Sequence, residues 1–443
     1  MKSRVFIETL GCVRNEVDTA TLREILISNG YEITGDINKS DIIIINTCSF
    51  IEQARQESID TILEYGELKN RGKIKKLIVT GCLPQYYKDE LIKEIPEIDS
   101  ISGTGEIDKI VDITKGRTRS DFNVRGYLYN KPLQTPIRET ELYHYIKISE
   151  GCSRKCAFCK IPELKGGYRS RKKEIIIQEA KIMINSGIKE LILVGQETTN
   201  YGVDRYKDYN FKNLLKDLTI LNGDFRIRFL YGFWQDIDDE LIYLIKENKK
   251  IYPYFDIPLQ HSEKKMLRLM NREGDKTIFL NLINKIRANF DDSYIKTSLI
   301  VGHPYETSKL FERLLDFLNE AKLDRITFFP YSREEGTVSA NYKNKISKKE
   351  IEKRYDVARN IQFKIEDKLQ KKMIGEEIEV LVERKVGEEL VGRCYRNAPE
   401  IEGCVVIDNN FSEEYIDKFI KVKITDSNGL DLYGDIIEAR SKK

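Results

Sequence analysis

Three cysteines in the middle of the chain carry the strongest chemical signal in the sequence. Cys152, Cys156 and Cys159 form a CxxxCxxC segment directly after a predicted strand. A four-iron cluster held by three thiolates keeps one iron open to an external ligand, whereas four thiolates saturate it. Zinc is the alternative, but it prefers four ligands, commonly from two CxxC pairs, and no second pair lies nearby. The segment therefore predicts a four-iron cluster with one open iron.

Three further cysteines are far apart in the sequence but share a structural position. Cys12, Cys48 and Cys82 each follow one of three predicted parallel strands. The carboxyl ends of such strands lie on one edge of the sheet, so these thiols predict a second cluster with an open iron. The alternative is three unrelated buried cysteines. Cys394 and Cys404 have no third partner and are interpreted as structural.

The first of three predicted domains must position the dispersed cysteines. It repeats a short apolar run followed by an amphipathic stretch, which predicts a parallel α/β sheet covered by helices on both faces. The predicted strands span 5–10, 41–46 and 75–80, and the predicted helices span 17–29, 50–69 and 86–94. This domain is predicted to cover residues 1–116, and a polar linker is predicted over 117–137.

The second predicted domain, residues 138–373, must position the CxxxCxxC loop. Its sequence repeats a strand followed by a helical stretch six times. A closed α/β barrel needs eight such units, so the pattern predicts an open, partial (β/α)6 barrel. Its predicted strands span 143–149, 188–195, 225–230, 253–257, 294–301 and 325–330. A final long helix is predicted to begin with a capping box formed by Ser347 and Glu350 and to end before Gly375. Residues 374–443, with strands such as 378–383 and 405–408, predict a small antiparallel barrel.

Composition excludes several classes of protein. The chain has 443 residues, of which 33% are charged and 40% hydrophobic, and this argues against collagen-like, disordered and membrane proteins. Its 74 basic and 72 acidic residues give a net charge of +2, unlike a strongly basic nucleic-acid coat. No signal peptide or membrane-spanning run is visible, so we expect a cytoplasmic protein, in which disulfides are rare.

These motifs resemble the radical S-adenosylmethionine (radical SAM) methylthiotransferase family. An aromatic residue, Phe158, precedes the last cysteine of CxxxCxxC, and the dispersed cysteines and small C-terminal barrel (a TRAM domain, OB-like) follow the family's order. Three runs are similar to its RimO type: residues 195–202 to QDTTxYG, 331–337 to FSREEGT and 392–403 to GRSxxDAPEIDG. The chain departs from the family's IVGFPGET run at His303 and Tyr305, and from a Tyr-Xaa-Tyr-Pro run at 231–234.

The resemblance implies a reaction and its cofactors. It implies two 4Fe-4S clusters and SAM, and addition of a methylthio group to the β-carbon of an aspartate in small-subunit ribosomal protein uS12. No side-chain base can remove such an unactivated hydrogen, so a cofactor must supply the difficult step. By resemblance, the middle cluster binds and splits SAM to give a 5′-deoxyadenosyl radical, and the N-terminal cluster presents sulfur. An electron donor such as flavodoxin or ferredoxin and a sulfur donor are implied partners.

The resemblance also indicates residues around SAM. Gly195, Gln196 and Glu197 are expected at its methionyl end, although Gly195 could serve a turn only. Phe158 is expected to pack against adenine, with core packing as the alternative. The remaining expectations place Gly302 and Pro304 at the adenosine site and Arg228 and Arg333 at carboxylates of SAM or substrate, with surface salt bridges as the alternative for the two arginines. We do not expect metal ligation by His144, His261 or His303.

The charge distribution favours one substrate over another. Residues 1–373 carry 64 basic and 56 acidic residues, a net charge of +8, whereas residues 374–443 carry 10 basic and 16 acidic residues, a net charge of −6. A barrel that grips tRNA phosphates should be basic. An acidic barrel suits a basic ribosomal protein better than tRNA, whose adenosine is the alternative methylthiolation target. A hypothesis of another class is a non-catalytic iron–sulfur protein for electron transfer or RNA binding.

Overall fold

The computed structural model describes residues 3–118, 120–123, 126–138, 140–399, 401–407 and 413–437. They form three successive α/β or β units, as the sequence predicted. None of the helices within these ranges is both long and apolar enough to cross a membrane.

The first unit is a six-stranded parallel sheet with strand order β2-β1-β3-β4-β5-β6. Its strands are β1 (Arg4–Thr9), β2 (Glu32–Ile33), β3 (Ile42–Thr47), β4 (Lys76–Gly81), β5 (Ser100–Ser102) and β6 (Ser120–Asp121), and its helices are α1 (Val13–Ser28), α2 (Glu52–Asn70), α3 (Cys82–Tyr87), α4 (Asp89–Glu94) and α5 (Ile110–Thr114). Ile42 and Ile44 enter one core, while Ile43 and Ile45 enter another on the opposite face. The apolar run of β3 is therefore buried on both sides, as expected for a covered parallel sheet.

The first unit differs from the sequence prediction in two respects. Strands β2, β5 and β6 have only two or three residues, too few to give a recognisable apolar run. Since β6 pairs with β5, the segment predicted as a linker contains a strand of this sheet. The single helix predicted over 86–94 is wrong. Two helices, α3 and α4, meet at Lys88, whose φ of 52° interrupts the helical path.

The second unit is the predicted open barrel of six parallel strands flanked by helices. Its strands and helices are β7 (Tyr143–Lys147), β8 (Ser149–Glu150), α6 (Ile161–Lys165), β9 (Arg169–Ser170), α7 (Lys173–Asn185), β10 (Glu190–Val194), α8 (Phe211–Thr219), β11 (Arg226–Phe229), α9 (Asp239–Glu247), β12 (Tyr254–Asp256), α10 (Lys264–Leu269), α11 (Lys276–Asn289), β13 (Tyr294–Val301), α12 (Ser308–Ala321), β14 (Arg325–Pro330) and α13 (Lys348–Lys371). The strands form two sheets, β11-β10-β7 and β12-β13-β14, connected by a parallel bridge between Ile227 and Ile251. Strands β8 and β9 form a separate small ribbon.

Helix α13 begins with half of the predicted capping box. The Ser347 hydroxyl accepts a hydrogen bond from the Glu350 backbone N–H. The Glu350 carboxylate does not complete the box, because it accepts a hydrogen bond from Arg354 Nε at 2.9 Å. The helix nevertheless begins where the sequence indicated, since one satisfied N–H already favours that start.

The third unit is a closed five-stranded barrel with order β15-β16-β17-β19-β18. Its strands are β15 (Glu377–Val386), β16 (Glu389–Arg393), β17 (Val405–Ile407), β18 (Phe419–Asn428) and β19 (Asp431–Ile436). The predicted antiparallel pairing holds except between β17 and β19, which pair in parallel. Glu400 of the family-like run, residue 408 of a predicted strand and residues 438–443 of the predicted domain lie outside the described residues.

The loop between β16 and β17 seals the amino-terminal end of the open barrel. Glu402 of this loop accepts a hydrogen bond from the Tyr254 hydroxyl at 2.8 Å, at the start of β12. Arg396 donates to Asp324 at 3.0 Å, just before β14. The third unit therefore closes one end of the barrel and leaves the carboxyl ends of the strands for a site.

Candidate active site between two sets of cysteines

A cavity of about 510 Å³ opens at the carboxyl ends of the barrel strands, beside the first unit. Five of the six predicted ligand cysteines line it: Cys12, Cys48, Cys152, Cys156 and Cys159. The two cysteine sets, which are about a hundred residues apart in sequence, thus share one cavity. This arrangement would hold two reactive centres within reach of one substrate.

The dispersed cysteines lie at the ends of three neighbouring strands, as predicted. Cys12 caps α1 after β1, Cys48 follows β3, and Cys82 is the first residue of α3 after β4. Gly11 permits close packing here, because its φ is +95° and an added Cβ would lie 2.5 Å from Cys48 Cβ. Cys82 is buried and does not line the cavity.

The CxxxCxxC loop runs from β8 to α6 and is held in place by backbone contacts. Ala157 N–H donates to Met270 O at 2.9 Å. The thiols receive N–H donors: Arg154 N–H lies 3.4 Å from Cys152 Sγ, and Ile161 N–H lies 3.5 Å from Cys159 Sγ. Such donors stabilise negative charge on sulfur, so the loop is organised for thiolate ligands.

Burial keeps these thiols neutral when no metal is bound. It raises the pKa of Cys152 to about 11 and that of Cys159 to about 12. Burial also raises the pKa of Cys82 to about 12. Cys12 differs from these three. Burial favours a raised pKa there too, but the neighbouring Arg14 guanidinium outweighs it, so the pKa of Cys12 is lowered. A bound cationic centre reverses the effect of burial on a thiol, because it deprotonates its ligand.

The donor set fits iron–sulfur clusters better than a single metal ion. Across the described parts of the chain, no three side chains of Cys, His, Asp or Glu converge closely enough to hold one ion. In a four-iron cluster each thiolate binds a different iron, so three separated thiols suffice. Three soft thiolate ligands per set match that requirement.

Three residues predicted near SAM line the cavity, namely Phe158, Gln196 and Glu197. Glu197 accepts a hydrogen bond from Arg154 Nε at 2.7 Å, and Gln196 donates to Glu150 at 2.9 Å. Gly195 precedes them in the chain and does not line the cavity. A Cβ at Gly195 would lie 2.4 Å from the Ser149 hydroxyl, so this glycine allows the close approach of β10 and β8.

The expectation that Arg228 contacts SAM or substrate is corrected by the structure. Arg228 is fully buried at the opposite end of the barrel. It is ion-paired with Glu190 at 2.6 Å and donates to the backbone oxygens of Tyr395, Cys394 and Asn397. Its position on β11 is as predicted, but its side chain joins the second and third units.

Three other expected contacts also lie elsewhere. Gly302 packs against Ile351 of α13, to which an added Cβ would approach within 2.5 Å. Pro304 is buried beside Gly302, and neither residue lines the cavity. Arg333 does not line it either, because its Nε donates to Ala340 O at 3.2 Å. The loop after β13 therefore supports the barrel wall from behind.

The three histidines occupy buried structural positions. His144 faces Glu179 at 3.6 Å, and His261 faces Glu306 at 3.3 Å. His303 packs edge-on against Tyr331, with ring centroids 5.0 Å apart. Among the described residues that line the cavity there is no histidine.

The cavity residues that sequence reasoning did not assign to the site include Arg14, Tyr231, Phe233 and Arg272. Tyr231 and Phe233 lie in the run that departs from the family, and this was the signal that could have indicated them. Tyr231 has a φ of +61°, which turns the chain sharply after β11. Arg14 and Arg272 carried no motif, because only the fold brings them to the cavity.

Three segments match known families in the same order as the three units. Residues 4–103 match the family described as uncharacterized protein family UPF0004, residues 146–318 the radical SAM superfamily, and residues 374–437 the TRAM domain. Ribosomal protein uS12 methylthiotransferase RimO of Clostridioides difficile (strain 630) is 43% identical over 98% of this chain and 99% of its own length. The protein of the same name from Natranaerobius thermophilus is 41% identical over 98% of this chain and 99% of its own length.

The chain belongs to the ribosomal protein uS12 methylthiotransferase family. As a methylthiotransferase of this family it is a radical SAM enzyme that transfers a methylthio group, and its cofactors are SAM and two 4Fe-4S clusters. The cysteine-lined cavity of this methylthiotransferase is the site that fits such cofactors.

Solved structures resemble the fold of this methylthiotransferase at low sequence identity. One is the radical SAM methyltransferase TsrM from Kitasatospora setae with cobalamin and a [4Fe-4S] cluster bound. It has a TM-score of 0.57 and 14% identity, and the match covers 88% of this chain and 81% of that one. The structure of TsrM with tryptophan substrate and a SAM analogue bound has a TM-score of 0.58 and 13% identity. That match covers 87% of this chain and 79% of the TsrM chain. These likenesses concern the fold alone.

Proposed function

We propose that this enzyme transfers a methylthio group to the β-carbon of an aspartate in small-subunit ribosomal protein uS12. The observation that carries the proposal is the shared cavity, which five of the six candidate ligand cysteines line. Full-length similarity to enzymes named for uS12 supports this substrate over tRNA adenosine.

In this proposal the two cysteine sets hold different clusters. Cys12, Cys48 and Cys82 hold the auxiliary cluster in the first unit. Cys152, Cys156 and Cys159 hold the SAM-binding cluster in the barrel. When bound, the second cluster supplies the electron that splits SAM, and the first supplies the sulfur. Both sets contribute cysteines to one cavity, whose walls would limit the entry of water.

Side chains on the barrel wall orient SAM. Gln196 and Glu197, which Gly195 precedes in the chain, are proposed to receive its methionyl amine, because carboxylate and amide oxygens accept from an ammonium group. Phe158 packs against the cofactor's apolar surface. Arg272 is proposed to bind the SAM carboxylate, since its Nη1 lies 3.8 Å from Cys156 Sγ and its buried Nε has no hydrogen-bond partner within the described residues.

The C-terminal barrel is proposed to dock the basic substrate. Residues 374–443 carry 10 basic and 16 acidic residues, a net charge of −6 that attracts a basic ribosomal protein. We further propose a flavodoxin or ferredoxin as electron donor, a separate sulfur donor, and a cytoplasmic location. The domains are proposed to span 1–116, 138–373 and 374–443, with 117–137 between the first two.

The proposal is tested by anaerobic reaction of the reconstituted enzyme with SAM, a reductant and purified uS12. We expect 5′-deoxyadenosine and a methylthio group on one aspartate of uS12, detected by chromatography and mass spectrometry. A uS12 variant in which that aspartate is alanine is the control and should remain unmodified. A fully loaded enzyme that forms no 5′-deoxyadenosine would contradict the enzymatic proposal.

A further inference from the structure

Four basic side chains line the cavity, and two of them already have acidic partners. Arg154 is paired with Glu197, and Lys160 is paired with Glu163. These two cations are therefore neutralised by the protein itself. Arg14 and Arg272 remain, and in the part of the chain that the structure describes neither has a carboxylate within ion-pair distance.

Arg14 is positioned by contacts that give it no carboxylate partner, although it also neighbours the Cys12 thiol. It lies in the first turn of α1, two residues after Cys12. Its Nη1 donates to Gly195 O at 3.3 Å, and its guanidinium lies 4.8 Å from the centre of the Tyr231 ring. One carbonyl oxygen, one ring and the Cys12 sulfur do not occupy all five of its N–H donors. A partly buried guanidinium in that state favours a planar anion such as a carboxylate.

The two unpaired guanidiniums lie beside different cysteine sets. Arg14 belongs to the element that carries Cys12, whereas Arg272 lies next to Cys156. The reaction brings two carboxylates into this cavity, one on SAM and one on the target aspartate. SAM occupies the Cys156 side, where Arg272 is placed to bind it. The carboxylate left for Arg14 belongs to the substrate.

We propose that Arg14 is the specificity-determining residue that binds the carboxylate of the target aspartate. This inference rests on the proposed function and deepens it. It also explains the selection of an acidic side chain, because an asparagine or a nucleobase would leave Arg14 without a carboxylate partner. The contact would hold the β-carbon of the substrate in the cavity to which both cysteine sets contribute.

The inference is tested by measuring the affinity of the reconstituted holoenzyme for purified uS12 and for uS12 with the target aspartate changed to asparagine. Wild-type enzyme should prefer the aspartate form by roughly ten- to hundredfold in Kd. Arg14→Gln should bind both forms equally, and Arg14→Lys should retain part of the preference, since lysine keeps the charge but not the fork geometry. The matched variant Arg272→Gln should keep the preference while its affinity for SAM falls.

Iron and sulfide analysis of each variant ensures that only fully loaded enzymes are compared. An Arg14→Gln enzyme that still prefers the aspartate form would overturn the assignment. The assignment would also be overturned if Arg14→Gln cleaved less SAM in the absence of uS12 but kept its preference for the aspartate form. Arg14 would then bind the SAM carboxylate. If wild-type enzyme binds neither form of uS12, the proposed substrate itself is wrong, and the assignment is overturned with it.

Discussion

Glu402 of the C-terminal unit and Lys296 of barrel strand β13 form a buried ion pair of 2.8 Å. The Glu402 side chain is fully buried, and it also accepts a hydrogen bond from Tyr254. Lys296 faces Asp256, whose carboxylate accepts a hydrogen bond from Tyr231 N–H at 3.0 Å. Since Tyr231 lines the active-site cavity, this chain of polar contacts extends from the C-terminal unit to the site.

Substitution Glu402→Gln should destabilise the whole protein rather than the C-terminal unit alone. Removing one partner leaves a buried charge without full compensation, at a cost of about 3–5 kcal/mol. Chemical denaturation measures this loss. The control is Glu67→Gln, which breaks the exposed pair with Arg71 and should cost less than about 1 kcal/mol. Equal effects of the two substitutions would mean that the buried pair does not hold the units together.

Substitution Gly11→Ala should disrupt the auxiliary site specifically. A methyl group there would meet Cys48 Cβ at 2.5 Å and Sγ at 2.8 Å, in addition to the strain of a positive φ. Gly30→Ala is the matched control, because Gly30 has a φ of +87° but no neighbour within 4 Å. Both should lose about 1–2 kcal/mol from strain, but only Gly11→Ala should also lose iron on reconstitution. Full iron loading of Gly11→Ala would show that Cys48 can move without loss of the cluster.

Replacing the auxiliary cysteines should separate SAM cleavage from methylthio transfer. A variant with Cys12, Cys48 and Cys82 changed to alanine should bind about half of the iron, retain cleavage of SAM to 5′-deoxyadenosine, and transfer no methylthio group. Iron analysis and product chromatography measure these properties. Cys394→Ala, which alters a buried thiol of the C-terminal unit, should keep all of the iron. Loss of SAM cleavage in the triple variant would refute independent roles for the two sets.

His303 should make stability depend on pH below neutrality. Burial lowers its pKa from 6.5 to about 4, and the neighbouring His261 acts in the same direction. The Pro304 carbonyl oxygen and the Glu306 carboxylate favour the charged ring but do not offset burial, and Tyr331 and Tyr342 complete its surroundings. Between pH 6.5 and 4 the unfolded chain therefore binds a proton that the folded protein excludes. The contribution of His303 to the free energy of unfolding is therefore fully present above pH 6.5. It falls by about 3 kcal/mol as the pH drops to 4.

The family's phenylalanine at this position provides the comparison. His303→Phe should retain the aromatic contact with Tyr331 and lose less stability over the same pH interval. Urea denaturation of both proteins at several pH values measures the difference. Parallel losses in the two proteins would mean that His303 is not the group that titrates.

Much of the site could be predicted because its signals are local. The apolar run of β3 and the cysteine that follows it are contiguous in sequence, and a parallel sheet brings such strand ends to one edge. The CxxxCxxC spacing likewise lies within a single loop. Local pattern therefore predicted the strand ends at Cys12, Cys48 and Cys82, the six-strand partial barrel and the small terminal barrel.

The remaining features depend on contacts between distant residues. Arg228 is paired with Glu190 and with carbonyl groups of residues 394–397, and no local pattern indicates that the third unit covers that end of the barrel. Gly302 is similarly explained by Ile351, which lies on a later helix. Arg14 and Arg272 reach one cavity only when the first unit packs against the barrel.

The most direct measurement is a competition between uS12 and tRNA in one anaerobic reaction with SAM and a reductant. Both products are then analysed by mass spectrometry for methylthio groups. We predict modification of a single aspartate of uS12 and none of tRNA adenosine. Methylthiolated tRNA together with unmodified uS12 would contradict the proposed function.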